Sequence, residues 1–341
     1  MRGRGGLRPI LADEQIAVTI CTRNRPGYLA SLLASLVNQT YPYWSLVLND
    51  QSDQPVVEDD TVKDLLQLLR TRGQAVLAFR TSEPRTRYQR ALEAAPRDAE
   101  FVVRVDDDVL LTPTFLQEIL RPFALFPDRP LAAVGPCLPE PHMRPLPLET
   151  RLADPDWVPR VDRPSWRLQG HAYTAAEILE VESLWGSAIA YRRSAAERVG
   201  GWAVPGYSEQ IYREDSDMSA RLLAAGYQLM VSTAALGWHL VAPSGGSRVY
   251  RKSTRGNVLV SDARPWEADD RLFRERVQRL LAEGAPRRPL RRYRIADLAA
   301  GRRVSRPLAT RRGRALRQAA RLVYRTLRPA RDVLHFVLDR P

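Results

Sequence analysis

Three consecutive carboxylates end an apolar run in this chain of 341 residues. The run FVVRV, residues 101–105, leads directly into Asp106, Asp107 and Asp108. At about 6 Å and an effective dielectric of about 20, two such like charges repel each other by roughly 3 kcal/mol. A divalent cation would offset this cost, because Mg²⁺ and similar ions are commonly held by one or two carboxylates together with substrate phosphates. The alternate residues Asp106 and Asp108 are therefore predicted to flank a cation that carries a diphosphate.

The other interpretation of this acidic triplet is a helix cap or a solvated turn. Thr112 and Pro113, however, match the N-cap and the first position of the helix that follows. Since this predicted cap lies downstream of the triplet, the sequence favours the cation site.

A second acidic group lies in the stretch REDSDMSARL, where Glu214, Asp215 and Asp217 stand at the predicted start of a helix. Carboxylates in a first turn suit the helix dipole, which accounts for one or two acids better than for three. A carboxylate in a cleft is also ionised at neutral pH and can serve as a general base. The residues alone leave both interpretations open.

Three single polar residues each have a structural and a functional interpretation. Asp50 ends a predicted strand, where it is either a turn residue or an acceptor of hydrogen bonds from a base or ribose. His239, in the stretch GWHL, is either structural or a metal ligand. Arg87 lies either on a solvated helix face or at the same cleft, where its fork suits a diphosphate.

The elements that must position these side chains follow from the apolar periodicity. The predicted strands of the first half are the apolar runs at residues 15–22, 44–50, 75–79, 101–105 and 131–135. Helical patterns lie between them, which is typical of a mostly parallel sheet covered by helices. In such a sheet, ligands lie beyond the carboxyl ends of the strands. We therefore expect the polar clusters at 22–25, 49–53 and 106–108 on one edge of the sheet.

The second half of the chain is less regular. Residues 136–170 hold many prolines and predict a long irregular loop. The other elements predicted here are a strand at 181–193, a helix ending at Gly226, a strand at 227–240, a mobile loop at 242–257 and a helix at 267–284.

The net charge of +13 is concentrated in one segment, because residues 287–341 contain 17 Arg and 3 Asp. This Arg-rich tail is either solvated or a basic amphipathic segment on an anionic membrane, where each Arg contributes roughly 1 kcal/mol. The start of the chain lacks the apolar region of a secretory signal, and no apolar run approaches the roughly 18 residues of a membrane span. We therefore expect a cytoplasmic protein, with the tail as its means of peripheral contact with the inner face of the cell membrane.

Several common motifs do not occur in the sequence. There is no GxGxxG after the first strand and no GxxxxGK[ST], so dinucleotide and P-loop binding are not supported. There is no GxSxG elbow and no CxxC pair, and the two cysteines, Cys21 and Cys137, are too few for a disulfide framework.

Four stretches, in order, resemble the family 2 glycosyltransferases, which bind nucleotide sugars with the GT-A fold. VTICTRNRPGYLASLLASLVNQTYPYWSLVLNDQSD is similar to the opening segment of the family, and VDDDVLLTP to its DxD segment. GWAVPGYSEQIYREDSDMSARLLAAGY is similar to its acceptor-side segment, and GWHL to its late histidine. The resemblance covers about residues 15–240. It implies an α/β GT-A fold, with a Rossmann-like, mostly parallel central sheet flanked by helices, followed here by a basic helical C-terminal tail.

The resemblance also implies a role for each matching residue. Those that would bind the nucleotide sugar are Thr22, Arg25, Asp50, Arg87, Asp106 and Asp107. Those that would bind the metal are Asp106, Asp108 and His239. Those on the acceptor side are Trp185, Gly186 and Glu214, with Asp215 as the general base. The chain departs from the family pattern at 49–51, where Asn, Asp and Gln replace two acids and a glycine, so the donor base stays open between UDP, expected first, and GDP or dTDP.

The implied reaction is an inverting transfer of a hexosyl group from a nucleoside-diphosphate sugar to a hydroxyl of a glycan or lipid-linked acceptor, in cell-envelope or exopolysaccharide synthesis. A divalent cation, Mn²⁺ or Mg²⁺, would neutralise the leaving diphosphate. The implied organisation is an N-terminal extension (1–14), a nucleotide-sugar-binding half (15–135), an acceptor-binding and catalytic half of the same domain (136–285) and a basic helical tail (286–341).

Two other functions stay open at this point. The Arg-rich tail would suit a nucleic-acid-binding or membrane-binding protein, although the acidic strand ends have no role there and no helix-turn-helix or zinc pattern appears. The aspartates would also serve a metal-dependent nucleotidyltransferase or nuclease. We expect no specific nucleic-acid partner.

Overall fold

The computed structural model describes the greater part of the chain. The described residues are 15–140, 160–162, 167–169, 177–184, 187–246, 250–252, 258–260, 264–282 and 290–307. Several predictions fall outside them: the N-terminal extension, the acceptor residues Trp185 and Gly186, most of the loops at 136–170 and 247–257, and the Arg-rich tail beyond residue 307.

The strands are β1 (Ile16–Thr22), β2 (Trp44–Asp50), β3 (Val76–Arg80), β4 (Phe101–Asp106), β5 (Val109–Leu111), β6 (Leu131–Cys137), β7 (Arg160–Asp162), β8 (Arg167–Gln169), β9 (Glu177–Val181), β10 (Ala188–Arg192), β11 (Gln228–His239), β12 (Tyr250–Lys252), β13 (Val258–Val260), β14 (Arg291–Arg294) and β15 (Ser305–Pro307). The α-helices are α1 (Pro26–Val37), α2 (Asp60–Thr71), α3 (Arg87–Ala94), α4 (Phe115–Leu125), α5 (Arg193–Arg198), α6 (Glu214–Ala224), α7 (Arg264–Ala282) and α8 (Ile295–Ala299).

One large sheet organises these elements. Its strands lie in the order β15–β14–β9–β11–β6–β10–β4–β1–β2–β3, and β5 pairs with β11 beside this path. Strands β3, β2, β1 and β4 are parallel, as are β6 and β11, while β10 lies antiparallel between β4 and β6. The predicted fold class is confirmed: the chain is α/β, with a mostly parallel central sheet flanked by helices.

Hydrophobic side chains cover both faces of this sheet. Neighbouring residues of β1 belong to different core clusters, with Ala17 on one face and Val18 on the other, as the two-residue period of a strand requires. Helix α1 buries an apolar stripe at i, i+3, i+4 and i+7, formed by Leu29, Leu32, Leu33 and Leu36. Each buried leucine contributes about 1.5–3 kcal/mol through its removal from water, which gives the site a rigid platform.

The carboxyl ends of several strands meet at one edge of the sheet. Thr22 at the end of β1 lies beside Asp50 at the end of β2, and Cys21 lies beside Asp106 at the end of β4. Strand β11 ends at the same place, because His239 pairs with Val109 directly after the acidic triplet. The prediction that these polar clusters share one edge is confirmed.

The predicted helix cap at Thr112 is wrong. Helix α4 begins at Phe115, its N-cap position is Thr114, and no side chain caps it. The Thr112 hydroxyl donates to the carbonyl of Leu236 at 2.8 Å instead, because β5 pairs with β11 immediately before it. The acidic triplet therefore forms the turn between β4 and β5.

Two other regions differ from the prediction. The single strand expected at 181–193 corresponds to two strands, β9 and β10, which lie apart in the sheet. The basic helical tail expected from residue 286 includes β14, which pairs with β9, and β15, which pairs with β14. The reason is a tertiary contact, because Tyr293 buries its ring in the core and donates to Glu180 at 2.8 Å.

Among the helices that the structure describes, none is both long enough and apolar enough to span a bilayer.

Candidate active site

A pocket open to solvent lies at the edge where β1, β4 and β11 end. The predicted site residues that line it are Thr22, Arg25, Arg87, Asp106, Asp107, Asp108 and His239. The structure thus brings together residues from four separate stretches of the sequence.

Asp107 is the most enclosed carboxylate of the triplet. Its Oδ2 accepts a hydrogen bond from the Thr22 hydroxyl at 2.7 Å, and its Oδ1 accepts one from Arg25 Nη1 at 3.0 Å. Burial raises the pKa of Asp107 to about 6, against the opposing effect of the Arg25 charge. Asp107 therefore joins the end of β1 to the acidic turn.

Asp108 faces the end of β11. Its Oδ2 accepts from the backbone N–H of Ala242 at 2.8 Å, and its Oδ1 lies 3.5 Å from His239 Nε2. Burial alone would raise the pKa of Asp108, but His239 and Arg25 together hold it well below its usual range. Burial likewise would lower the pKa of His239, and the Asp108 carboxylate raises it above its ordinary value. Each of the two side chains therefore favours the charged form of the other.

Asp106 points in another direction. Its Oδ1 accepts from the Tyr88 hydroxyl at 3.4 Å and lies 3.6 Å from Arg104 Nη2. Its backbone N–H donates to the carbonyl of Ser187 at 2.6 Å, which fixes the end of β4 against the chain before β10. Within the described ranges, no three acidic, histidine or cysteine side chains converge as a metal site. The predicted metal set is thus divided, with Asp108 and His239 adjacent and Asp106 turned toward Arg104.

The Asp50 carboxylate is hydrogen-bonded to the backbone of the turn that follows it. Its two carboxylate oxygens accept from the backbone N–H groups of Ser52 and Val56, each at 2.8 Å, and it is 2% exposed. The neighbouring Gln51 lines the pocket in its place. This carboxylate shapes the turn that follows β2.

Arg87 is buried rather than solvated. Its Nη1 donates to the carbonyls of Pro84 at 2.7 Å and Glu209 at 3.4 Å, and its guanidinium lies 4.7 Å from the centre of the Tyr88 ring. Arg87 therefore connects α3 with the segment that leads into α6.

The three acids at the start of α6 have different surroundings. Glu214 is buried, and its Oε1 accepts from Arg104 Nη1 at 3.3 Å. Asp217 is buried between the side chains of Tyr207, Arg221 and Arg276. Asp215 is half-buried, and its Oδ1 accepts from the backbone N–H of Ser216 at 2.6 Å. Asp217 holds helices together, and Asp215 is the acid of this turn that the structure leaves partly exposed.

Two residues of this region were not predicted from the sequence. Arg104 is buried beneath the pocket and contacts both Asp106 and Glu214; a single arginine inside the apolar run FVVRV was the available signal. Asp269, in α7, accepts from the backbone N–H groups of Ser208 and Tyr212 at 2.7 and 2.8 Å. No sequence signal distinguishes Asp269 from other acids on that helix.

Residues 101–255 match the family model described as glycosyl transferase family group 2. The matched segment contains the acidic triplet, the acids at the start of α6 and His239. A comparison with curated proteins gives no match.

Solved structures similar to this chain include GalNAc-T7 with UDP, GalNAc and Mn²⁺, at 14% identity over 66% of this chain and 43% of that chain, with a TM-score of 0.48. TarS 1–349 of S. aureus is similar at 17% identity over 66% of this chain and 60% of that chain, with a TM-score of 0.45. The mannosyltransferase PcManGT from Pyrobaculum calidifontis, in complex with GDP-Man and Mn²⁺, is similar at 16% identity over 92% of this chain and 81% of that chain, with a TM-score of 0.48.

This chain therefore spans less than half of the GalNAc-T7 chain and 60% of the TarS 1–349 chain. The match to the family model covers fewer than half of the residues of this chain, and the acidic triplet, the acids of α6 and His239 all lie within it. Residues 101–255 are thus similar to glycosyl transferase family group 2.

Proposed function

We propose that this protein transfers a hexosyl group from a nucleoside-diphosphate sugar to an acceptor hydroxyl, with inversion at the anomeric carbon. The observation that carries the proposal is the Asp108–His239 pair beside Asp106 and Asp107, at the carboxyl ends of parallel strands. This is the edge at which open α/β sheets bind their ligands. The same residues lie within the segment that matches the family model.

The donor side of the pocket is formed by the ends of β1 and β4 and the turn after β2. The guanidinium groups of Arg25 and Arg87 lie in the pocket wall, and planar forks of this kind suit a diphosphate. Gln51 lines the pocket, and its Nε2 donates to the Thr81 hydroxyl at 3.3 Å and to the Glu83 carbonyl at 3.0 Å. The Asp50 carboxylate is bonded to its own turn. We expect UDP as the first choice of donor, before GDP or dTDP.

A divalent cation fits the chemistry of the donor atoms at this site. Asp108 and His239 offer a carboxylate oxygen and an imidazole nitrogen 3.5 Å apart. The carboxylate suits Mn²⁺ or Mg²⁺, and the imidazole would add a nitrogen ligand when neutral. Asp106 would join them only after turning away from Arg104 and Tyr88. When bound, the cation would neutralise charge on the leaving diphosphate.

Asp215 is the proposed general base. Its carboxylate lies in the first turn of α6, partly exposed, while the adjacent Glu214 is fixed by Arg104. A carboxylate in this position can take the proton of the acceptor hydroxyl as the oxygen attacks the anomeric carbon. A single displacement from the face opposite the diphosphate inverts that carbon.

The acceptor is proposed to be a glycan or a lipid-linked saccharide of the cell envelope, approached from the cytoplasm. The Arg-rich tail would bring the enzyme to an anionic membrane surface. The full chain is expected to sediment with vesicles of anionic lipid, and a chain truncated after residue 307 is expected to stay in the supernatant. Equal sedimentation of both chains would contradict a docking role for the tail.

Thermal unfolding with Mn²⁺ and a panel of nucleoside diphosphates tests the donor site. A ligand at about 100 times its dissociation constant stabilises a protein by roughly 2.7 kcal/mol, which corresponds to about 5–10 °C for a domain of this size. We expect such a shift with one nucleotide, only when Mn²⁺ is present, and its loss in Asp108→Ala. If none of the nucleoside diphosphates shifts the unfolding temperature, the proposed function is contradicted.

A further inference from the structure

Arg25 makes close contact with two members of the acidic triplet. Its Nη1 lies 3.0 Å from Asp107 Oδ1 and 3.5 Å from Asp108 Oδ2. One tenth of the Arg25 side chain is exposed, so solvent screens these contacts weakly. One nitrogen that reaches two carboxylates offsets the repulsion between them.

The other edge of the same guanidinium binds the segment that follows β11. Arg25 Nε donates to the carbonyl of Ser244 at 2.8 Å, and Nη2 donates to the carbonyl of Gly245 at 3.1 Å. The N–H of Gly246 donates to the carbonyl of Arg23 at 2.7 Å. Residues 241–246, called here the glycine loop, are thus fastened to the turn between β1 and α1.

Two glycines allow this close approach. A Cβ on Gly245 would lie 2.6 Å from Cγ of Arg25 and 2.8 Å from the carbonyl oxygen of Asn24. A Cβ on Gly246 would lie 2.6 Å from Nη2 of Arg25. Both residues have positive φ, +70° and +67°, which other residues adopt at a cost. The loop backbone therefore fits over the guanidinium only with glycine at these positions.

We propose that Arg25 is the built-in counter-ion of the acidic triplet, that a divalent cation displaces it from Asp108, and that this displacement frees the glycine loop. The inference rests on the proposed function, which places a cation at Asp108 and His239. Asp108 Oδ2 already accepts from Ala242 of the glycine loop and lies near Arg25. A guanidinium and a divalent ion repel each other at such short range, so the ion competes with Arg25 for this carboxylate. The released fork then becomes available to the diphosphate.

Mn²⁺ binding to the full chain without nucleotide tests the competition, with free Mn²⁺ measured by electron paramagnetic resonance. Arg25→Met is expected to bind Mn²⁺ about tenfold more tightly than the wild type, because a competing positive charge is removed. Arg25→Lys keeps a charge near the carboxylates and is expected to stay within about threefold of the wild type.

The matched control is Arg87→Met. Arg87 lines the same pocket and carries the same charge, but its guanidinium donates to the carbonyls of Pro84 and Glu209. Removal of the Arg87 charge is expected to tighten Mn²⁺ binding by less than about threefold, because this charge acts on the ion only through the overall electrostatic potential of the pocket. The inference is overturned if Arg25→Met binds Mn²⁺ no more tightly than the wild type, or no more tightly than Arg87→Met.

Hydrogen exchange of the wild-type chain tests the release of the loop independently of any variant that does not fold. Mn²⁺ is expected to speed exchange at the amides of Ala242 and Gly246, which are bonded to Asp108 and Arg23. Unchanged exchange on saturation with Mn²⁺ overturns the inference while leaving the proposed function intact. A wild-type chain that binds no Mn²⁺ even with nucleoside diphosphates would instead overturn the proposed function, and the inference with it.

Discussion

Arg104 donates through Nη1 to Oε1 of Glu214 at 3.3 Å, and both side chains are almost completely buried. The same guanidinium lies 3.6 Å from Asp106 and 4.3 Å from the centre of the Tyr88 ring. A single buried cation therefore connects the last residue of β4 with the first residue of α6. In the proposed function, these are the donor side and the base-bearing side of one site.

Replacement of this arginine by methionine is expected to destabilise the fold strongly. Arg104→Met leaves the buried Glu214 carboxylate without its cation, and breaking such a pair by removing one partner costs about 3–5 kcal/mol. Unfolding in urea, followed by circular dichroism, measures the loss of unfolding free energy. The double variant Arg104→Met with Glu214→Gln is expected to lose less than the sum of the two single variants.

An exposed ion pair provides the control for Arg104. Arg90 and Glu93 form an i, i+3 pair 3.0 Å apart on the solvent face of α3. Arg90→Met is expected to change the unfolding free energy by less than about 1 kcal/mol, because exposed pairs contribute little. Similar losses for Arg104→Met and Arg90→Met would contradict the role assigned to the buried bridge.

Arg104 also illustrates the limit of prediction from the sequence. The strand ends and their shared edge were predictable, because the apolar runs have the length and spacing of parallel strands and the polar clusters follow them directly. The direction of each side chain at that edge was not. Asp106 turns toward Arg104 and Asp108 toward His239 because of packing between distant elements. The sequence pattern therefore assigned the same metal-binding role to Asp106 and Asp108, although their surroundings differ.

Other features depended on contacts that no local pattern records. The cap predicted at Thr112 failed because pairing of β5 with β11 gave its hydroxyl another acceptor, the carbonyl of Leu236. Asp269 lies far along the chain from Ser208 and Tyr212 and meets them only because α7 packs near the start of α6. Such contacts follow from the tertiary structure and leave no periodic signal in the sequence.

Gly201 is predicted to be intolerant of a side chain. It has a φ of +58°, and a Cβ there would lie 2.3 Å from Oε1 of Gln89, the atom that accepts from the N–H of Trp202. Gly201→Ala is therefore expected to combine backbone strain with loss of this bond and to cost about 2–4 kcal/mol.

Gly226 is the control that separates strain from steric conflict. It has a φ of +86°, but a Cβ there would meet nothing within 4 Å. Gly226→Ala is expected to cost only about 1 kcal/mol, from strain alone. Thermal or urea unfolding of the two variants measures the difference, and equal losses would show that Gln89 moves aside without cost.

Asp269 is predicted to position the segment that leads into α6. Its Oδ1 accepts from the N–H of Ser208, and its Oδ2 accepts from the Ser208 hydroxyl at 2.8 Å and from the N–H of Tyr212 at 2.8 Å. The segment is strained, since Ile211 and Arg213 have positive φ values of 42° and 77°, and such conformations cost about 1–3 kcal/mol each. The Asp269 carboxylate therefore supports an unfavourable backbone next to the proposed base.

Asp269→Asn places an amide against one of these donors and is expected to cost about 1–3 kcal/mol. Transfer activity should fall, while the thermal shift with Mn²⁺ and nucleoside diphosphate should stay at its wild-type size. Asp270→Asn is the control, because its partners Arg213 and Arg274 lie closer to the surface and its loss is expected to be below about 1 kcal/mol. A weaker donor shift in Asp269→Asn would show that Asp269 acts on the whole pocket.

Asp215 is predicted to affect the transfer step alone. Asp215→Asn removes the proton acceptor and keeps the size of the side chain, so turnover should fall by a factor of about 10² or more, the contribution of a positioned general base. The binding of Mn²⁺ and nucleoside diphosphate should be unchanged, because the donor pocket is lined by other residues.

Asp217→Asn is the matched control on the same turn. Asp217 is bonded to Tyr207, Arg221 and Arg276, so its replacement should lower the unfolding temperature more than it lowers the turnover of the folded protein. Transfer of radiolabelled sugar to whichever saccharide the wild type accepts measures turnover, and near-normal turnover in Asp215→Asn would require a different base.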